Sequence, residues 1–167
     1  MTAVDVGLLL VRLSLGGTML MHGWNHWRGG GKIAGTARWF ESIGLRNGRM
    51  QAWASVATEL AAGIGFVLGL FTPLACASAV GTMTVAALIV HRKNGFFIFR
   101  EGEGYEYVLM IIVMSIALAL LGPGSISLDH ALDITVGGGL GGIIAAVAGV
   151  GGALLLLTAT YRPAKQT

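Results

Sequence analysis

Charge is scarce in this chain. Only 11% of its 167 residues are Asp, Glu, Lys or Arg, while 54% are hydrophobic, against roughly a quarter charged in an ordinary soluble domain. So few ions cannot cover a water-facing surface, which excludes a soluble globular class and makes lipid the main solvent. Cysteine is nearly absent. The single Cys76 rules out an internal disulfide, a CxxC dithiol relay and a CxxCH haem attachment, so any redox role needs a borrowed cofactor. No basic stretch precedes the first apolar run, which is longer than a secretory h-region and is expected to remain as a membrane anchor. The net charge of +3 is dispersed between apolar runs rather than gathered on one soluble face, which argues against nucleic acid as a partner.

What the chain does have is long apolar runs. A run of about 17 to 25 residues spans the hydrocarbon core of a bilayer, and Val4–Gly23, Ala52–Phe71, Leu74–Val90 and Tyr105–Leu121 qualify. A fifth, Val136–Tyr161, is rich in Gly and Ala and ends on the interface anchors Tyr161 and Arg162. Glycine makes up 27 residues, more than twice the usual ~7% share, and inside apolar runs it lets helices approach closely. The spacing of Gly137, Gly138, Gly141 and Gly142 suits either self-association or docking on the other four helices.

With five spans, Arg28, Lys32, Arg38, Arg46, Arg49, Arg92, Lys93, Arg100, Arg162 and Lys165 all fall on one side. Enrichment of Lys and Arg in cytoplasmic loops then predicts an outside N-terminus and a cytoplasmic C-terminus in a plasma membrane. Residues 32–46 carry Ile33, Ala37, Phe40 and Gly44 at helical spacing, which predicts a short amphipathic helix on the cytoplasmic surface, or equally an ordinary loop helix. Thr72 and Pro73 predict a tight turn into an antiparallel neighbour.

Two charges lie inside the spans: Arg12 in the first and Glu59 in the second. An ionisable residue at membrane depth marks a functional site by default. Counting inward at about 1.5 Å per residue brings them within one extended Arg side chain of each other and predicts an Arg12–Glu59 pair. The same count sets His22, His26, His91, Tyr105 and Glu106 at the inner ends of the spans, as a polar mouth open to the cytoplasm. Residues 94–107 are expected to fold back over it. His22 and His26 stand at metal-binding i, i+4 spacing, but Gly23 between them weakens the helix; a haem between His22 and His91 is less expected still, and no metal site is assigned. Met83, Met110 and Met114 are read as packing.

Taken in order, Arg12, His22-Gly23, Glu59, His91, Asn94-Gly95-Phe96-Phe97, Gly104-Tyr105-Glu106-Tyr107, Leu121-Gly122-Pro123-Gly124 and Ser127-Leu128-Asp129 resemble the DoxX family over roughly residues 5–133. The resemblance implies an all-α, four-helix membrane bundle (residues 1–135), with relatives described as small subunits of a terminal quinol oxidase or of thiosulfate:quinone oxidoreductase. It also carries over Arg12, His22, Glu59, His91 and Glu106 as site positions. The departure is residues 136–167, an added fifth helix and tail that the four-span pattern lacks. The function expected from this likeness is an accessory subunit of a quinone-linked membrane redox system, partnered by other membrane or peripheral redox proteins; the cofactor is left open, with quinone the candidate and metal or haem not expected. Ligand- or proton-linked candidates are Arg12, His22, Glu59, His91, Tyr105 and Glu106. A non-catalytic scaffold or assembly subunit that docks through the last helix, which could also form a homo-oligomer, and a proton-coupled transporter of a small or lipid-like solute are the alternatives. The transporter reading is weakened by the lack of an internal repeat.

Overall fold

The computed structural model describes residues 2–163; Lys165, counted above among the cytoplasmic cations, lies outside them. Every long element is helical: α1 (Ala3–Arg28), α2 (Lys32–Ser42), α3 (Gly48–Leu68), α4 (Thr72–Asn94), α5 (Glu106–Leu121), α6 (Leu128–Ala131) and α7 (Gly138–Thr160). α1, α3, α4 and α7 are long and apolar enough to cross a membrane, and α5, with 16 residues, is apolar but shorter. The chain is therefore a multi-pass integral membrane protein, because lipid offers no partner for backbone N–H and C=O groups and helices satisfy their own.

Helix ends follow from local chemistry. Thr2 opens α1 with a capping box: its hydroxyl accepts from the Asp5 N–H at 3.2 Å, and the Asp5 carboxylate accepts from the Thr2 N–H at 2.6 Å. Gly69, at φ +62°, closes α3 in the left-handed region that glycine adopts without strain. α1 then continues five residues past the apolar run that announced it, carrying Trp24, His26, Trp27 and Arg28 on helical backbone. Two helices contain a π-helical turn, Ala87–His91 in α4 and Ile144–Ala148 in α7.

α1 and α3 pack antiparallel at close range. A β-carbon on Gly63 would stand 2.6 Å from Leu20 Cγ and 3.0 Å from the Gly16 carbonyl, so the crossing depends on glycine. Gly63→Leu is expected to cost about 3 kcal/mol by overpacking, read as a lower midpoint in denaturing-detergent titration. Central in the bundle, α4 contacts α3 on one side and α5 and α7 on the others. α7 docks through its small face, Gly149 against Val80 and Ala77, and Gly141 and Gly142 against Ala119 and Leu120 of α5. Gly141, Gly142 and Gly149 are thus used within the chain.

α2 does not lie free on a surface. Ala37 and Phe40 are buried, and with Leu45 and Ala52 they pack against Ile89, Leu156 and Tyr161. The apolar face that predicted membrane contact is occupied by the protein's own helices, because the α3 and α7 ends leave an apolar step beneath them. Among the described residues, every Lys and Arg except Arg12 lies at this end of the bundle, while the 69–72 turn and residues 122–135 at the opposite end carry none.

Candidate functional site

Glu59 and Arg12 are both fully buried, each 1% exposed, and they do not meet. Gly23 of α1 packs on the Cβ of Glu59, so the two levels differ by eleven residues, roughly 16 Å along the axis. Direction widens the gap. Helical side chains tilt toward their own N-terminus, and α1 and α3 run antiparallel, so Arg12 and Glu59 point to opposite ends of the bundle. The expected Arg12–Glu59 pair is thereby replaced by two separate polar centres.

Glu59 faces the basic end. Its Oε2 lies 3.0 Å from Nδ1 of His26, and its Oε1 accepts from the Ser55 hydroxyl at 3.2 Å, one helical turn away. Ser55 Oγ also lies 3.2 Å from the same His26 nitrogen, so imidazole, hydroxyl and carboxylate form a closed triangle. The His26 ring packs edge-on to Phe40 and tilted against Trp39, with centroids at 5.9 and 6.3 Å. The imidazole is therefore held on its apolar sides by α2 and on its polar side by α3.

His91 forms the opposite wall. Nδ1–H donates to the Glu103 carbonyl at 2.9 Å, which leaves Nε2 of the neutral ring to accept from the Tyr107 hydroxyl, also at 2.9 Å. The loop before α5 exists to make this possible: Asn94 donates its side-chain amide to the Gly102 and Glu103 carbonyls, and the backbone N–H groups of Gly104, Tyr105 and Glu106 donate to Phe97, Gly95 and Phe96. The π turn at Ala87–His91 resets the register of α4 where His91 turns inward; such turns recur at functional sites. His22 stacks on Tyr107 at 6.4 Å between centroids.

These groups share a cavity of about 460 Å³. Its polar end is His22, His26, Ser55, Glu59, His91 and Tyr107; its floor is Ala77, Ser78, Gly81, Thr82, Val85 and Ile89 of α4; Ala148, Gly149, Gly152 and Ala153 of α7 complete the far wall. A concave, mainly apolar space with a few convergent polar groups is the usual form of a small-molecule site. Chemically it offers an acid–base pair, a neutral imidazole–phenol pair and a low-polarity wall.

Of the sequence candidates, His22, Glu59 and His91 line this cavity, and Tyr105, Glu106 and Arg12 do not. Tyr105 sits at the start of α5, edge-on to Phe96 at 5.5 Å, and the Glu106 carboxylate accepts from the Ile98 N–H at 3.1 Å; both brace the 94–107 loop. Tyr107 is the addition, and His26, which the sequence set at the polar mouth without naming it a candidate, joins Glu59. His26 was legible once Glu59 is required to point toward the α3 N-terminus, whereas nothing in the sequence distinguishes Tyr107 from Tyr105. No set of three or more His, Cys, Asp or Glu side chains able to hold a metal occurs among the described residues.

Arg12 belongs to the other centre. Its Nη2 donates to the Ile126 carbonyl and its charge faces Asp129, itself 1% exposed. Asp129 Oδ1 accepts from the Phe71 N–H at 2.7 Å and Oδ2 from the Thr72 N–H at 2.9 Å, capping α4. In return its own N–H donates to the Gly69 carbonyl at 2.9 Å. Residues 124–129 run along the first turns of α1, where the Ser125 N–H donates to Asp5 and Gly124 rests on Leu8. This strap fills the height that the short α5 leaves open.

The DoxX family model matches residues 7–92, a little over half of the chain, a stretch that holds Arg12, His22, His26, Glu59 and His91 and stops before Tyr107 and Asp129. No curated protein and no solved structure matches the chain. Over α1 to α4, which carry most of the cavity's polar groups, this chain belongs to the DoxX family.

Proposed function

We propose that this chain is an accessory subunit of a quinone-linked redox system of the plasma membrane, and that the cavity receives the quinone head group. The single observation that carries the reading is the pairing of two distinct proton-handling units, His26–Glu59–Ser55 and His91–Tyr107, on facing walls of one mainly apolar cavity. The residues fit such a ring. Tyr107 can turn its hydroxyl from His91 Nε2 to donate to a carbonyl oxygen, and His26 with Glu59 holds a proton at Nδ1 within the membrane, where a carboxylate without a partner would be costly. A quinone supplies two-electron, two-proton chemistry when bound. This chain's part is to bind and orient the ring, exclude water and carry the protons, while a partner subunit supplies electrons, consistent with its one buried cysteine.

In the same proposal α5 also crosses the bilayer, giving five spans with the N-terminus outside and the basic end cytoplasmic, and residues 136–167 are an addition to a four-helix unit of residues 1–135. The cluster of cations at one end supports that orientation.

The test uses Trp39, which lines the cavity. In liposomes, with Trp24, Trp27 and Trp53 replaced by Phe, decylubiquinone is expected to quench Trp39 saturably. Tyr107→Phe is expected to weaken that binding by about tenfold, the loss of one to two kcal/mol of hydrogen bonding. Quenching that rises linearly without saturation, and identically in Tyr107→Phe, contradicts the proposal.

A further inference from the structure

On the side of α7 the basic end of the cavity is covered. Phe40 and Leu45 are buried there, packed with Ile89, Leu156 and Tyr161, and the α2–α3 connection is tied to the end of α7. Leu45 and Tyr161 form an antiparallel bridge, the Arg46 N–H donates to the Thr160 carbonyl at 3.0 Å, and the Arg162 N–H donates to the Gly44 carbonyl at 2.7 Å. This plug covers the α7 side of the aqueous mouth expected from the sequence, and a separate open cleft lined by Gly31, Gly35, Thr36 and Trp39 reaches His26. The long side of the cavity differs. α3 and α7 both rest on α4 without substantial contact with each other, so the strip of α4 between them is roofed by neither. The strip carries the half-buried Ser78 and Thr82 and runs up to Leu74, which lines the cavity and is 57% exposed, while α7 covers Ala77 and Gly81 beside it.

We infer that the cavity is entered sideways from the bilayer, through a slot between α3 and α7, by an amphipath with a single hydrocarbon chain and a hydrogen-bonding head. The chain lies over Leu74, Ser78 and Thr82, and the head reaches the His26–Glu59 and His91–Tyr107 walls. From Leu74 to the level of Thr82 the slot runs eight residues, roughly 12 Å, most of the way from one face of the hydrocarbon to its middle. A cavity of about 460 Å³ is at the small end of ligand sites and suits one chain with a ring-sized head rather than the paired chains of a phospholipid. An oil-lined slot ending on the His26–Glu59 pair selects for this class: the chain replaces lipid contacts at no loss, and only a head with hydrogen-bonding capacity can bond His22 and His26 Nε2, which make no hydrogen bond to another described residue. The identity of the head as a quinone rests on the proposed function; the sideways entrance does not.

Two photoprobes in liposomes holding the full chain separate these claims, one a benzoquinone and the other an alcohol, each on a decyl chain ending in a diazirine. Both are expected to label residues 74–82 of α4 and 148–156 of α7. Ser78→Trp, which fills the slot, is expected to cut that labelling about tenfold, with Ser78→Ala unchanged; Ala54→Trp on the exposed rim repeats the test should the first variant not fold. Labelling by the alcohol probe but not by the benzoquinone probe keeps the slot and discards the quinone. Absence of slot labelling by either probe, labelling confined to residues 43–46 and Tyr161, or indifference to both Trp variants overturns the sideways entrance.

Discussion

Replacing Asp129 with alanine is expected to destabilise the protein by about 4 kcal/mol, the largest effect of any single polar substitution away from the cavity. Its two oxygens take the Phe71 and Thr72 N–H groups at 2.7 and 2.9 Å, and bonds to an ionised acceptor are worth roughly 1.5–3 kcal/mol each. Phe71 holds a left-handed backbone at φ +48°, which costs a non-glycine residue about 1–2 kcal/mol and persists only where its surroundings enforce it. Removal of the carboxylate also strands Arg12, whose Nε and Nη1 have no partner among the described residues and whose charge faces Asp129. Asp129→Asn keeps one carbonyl acceptor and should lose about half as much. Denaturing-detergent titration reads both variants; a loss below about 1 kcal/mol for Asp129→Ala would show the strap to be an ornament on the turn and not its lock.

A double-mutant cycle on His26 and Glu59 should return a coupling of about 2 kcal/mol, while the cycle on Arg12 and Glu59 should return less than about 0.5 kcal/mol. His26 and Glu59 are in contact at 3.0 Å, with side chains only 19% and 2% exposed; Arg12 sits three turns away with a different partner. His26→Ala alone leaves a carboxylate buried without its base, a change of about 3 kcal/mol or more, and Glu59→Gln added to it should recover most of that loss. Coupling that appeared between Arg12 and Glu59 would reinstate the pairing that depth alone suggested.

The contrast between those pairs explains what was legible in the sequence. The apolar runs and the one-sidedness of Lys and Arg are set by solvent, and the helices observed follow them to within a few residues. Partner choice was harder. Depth counted along one helix axis brought Arg12 and Glu59 together, but each side chain leans toward its own helix N-terminus, and in antiparallel neighbours that leaning separates them. Asp129 was visible only as part of a family-like motif, because a segment between spans carries no sign that it will fold back along α1 and deliver a carboxylate to a turn 57 residues earlier in the chain. α2 was legible as an amphipathic helix and not as a plug, since the same apolar face suits lipid and protein alike. The side slot was not legible at all: it arises from two helices that fail to touch.

The account stands most directly on the acid–base triangle and its exposure to the cavity. Dipolar-recoupling NMR in lipid bilayers, with 15N in histidine and arginine side chains and 13C in the glutamate carboxyl, measures it. The predicted result is a strong Glu59 to His26 contact, no contact to Arg12, and a shift of the Glu59 and His26 signals when decylubiquinone is added. A Glu59 to Arg12 contact, or signals at Glu59 and His26 that stay fixed at saturating decylubiquinone, would contradict it.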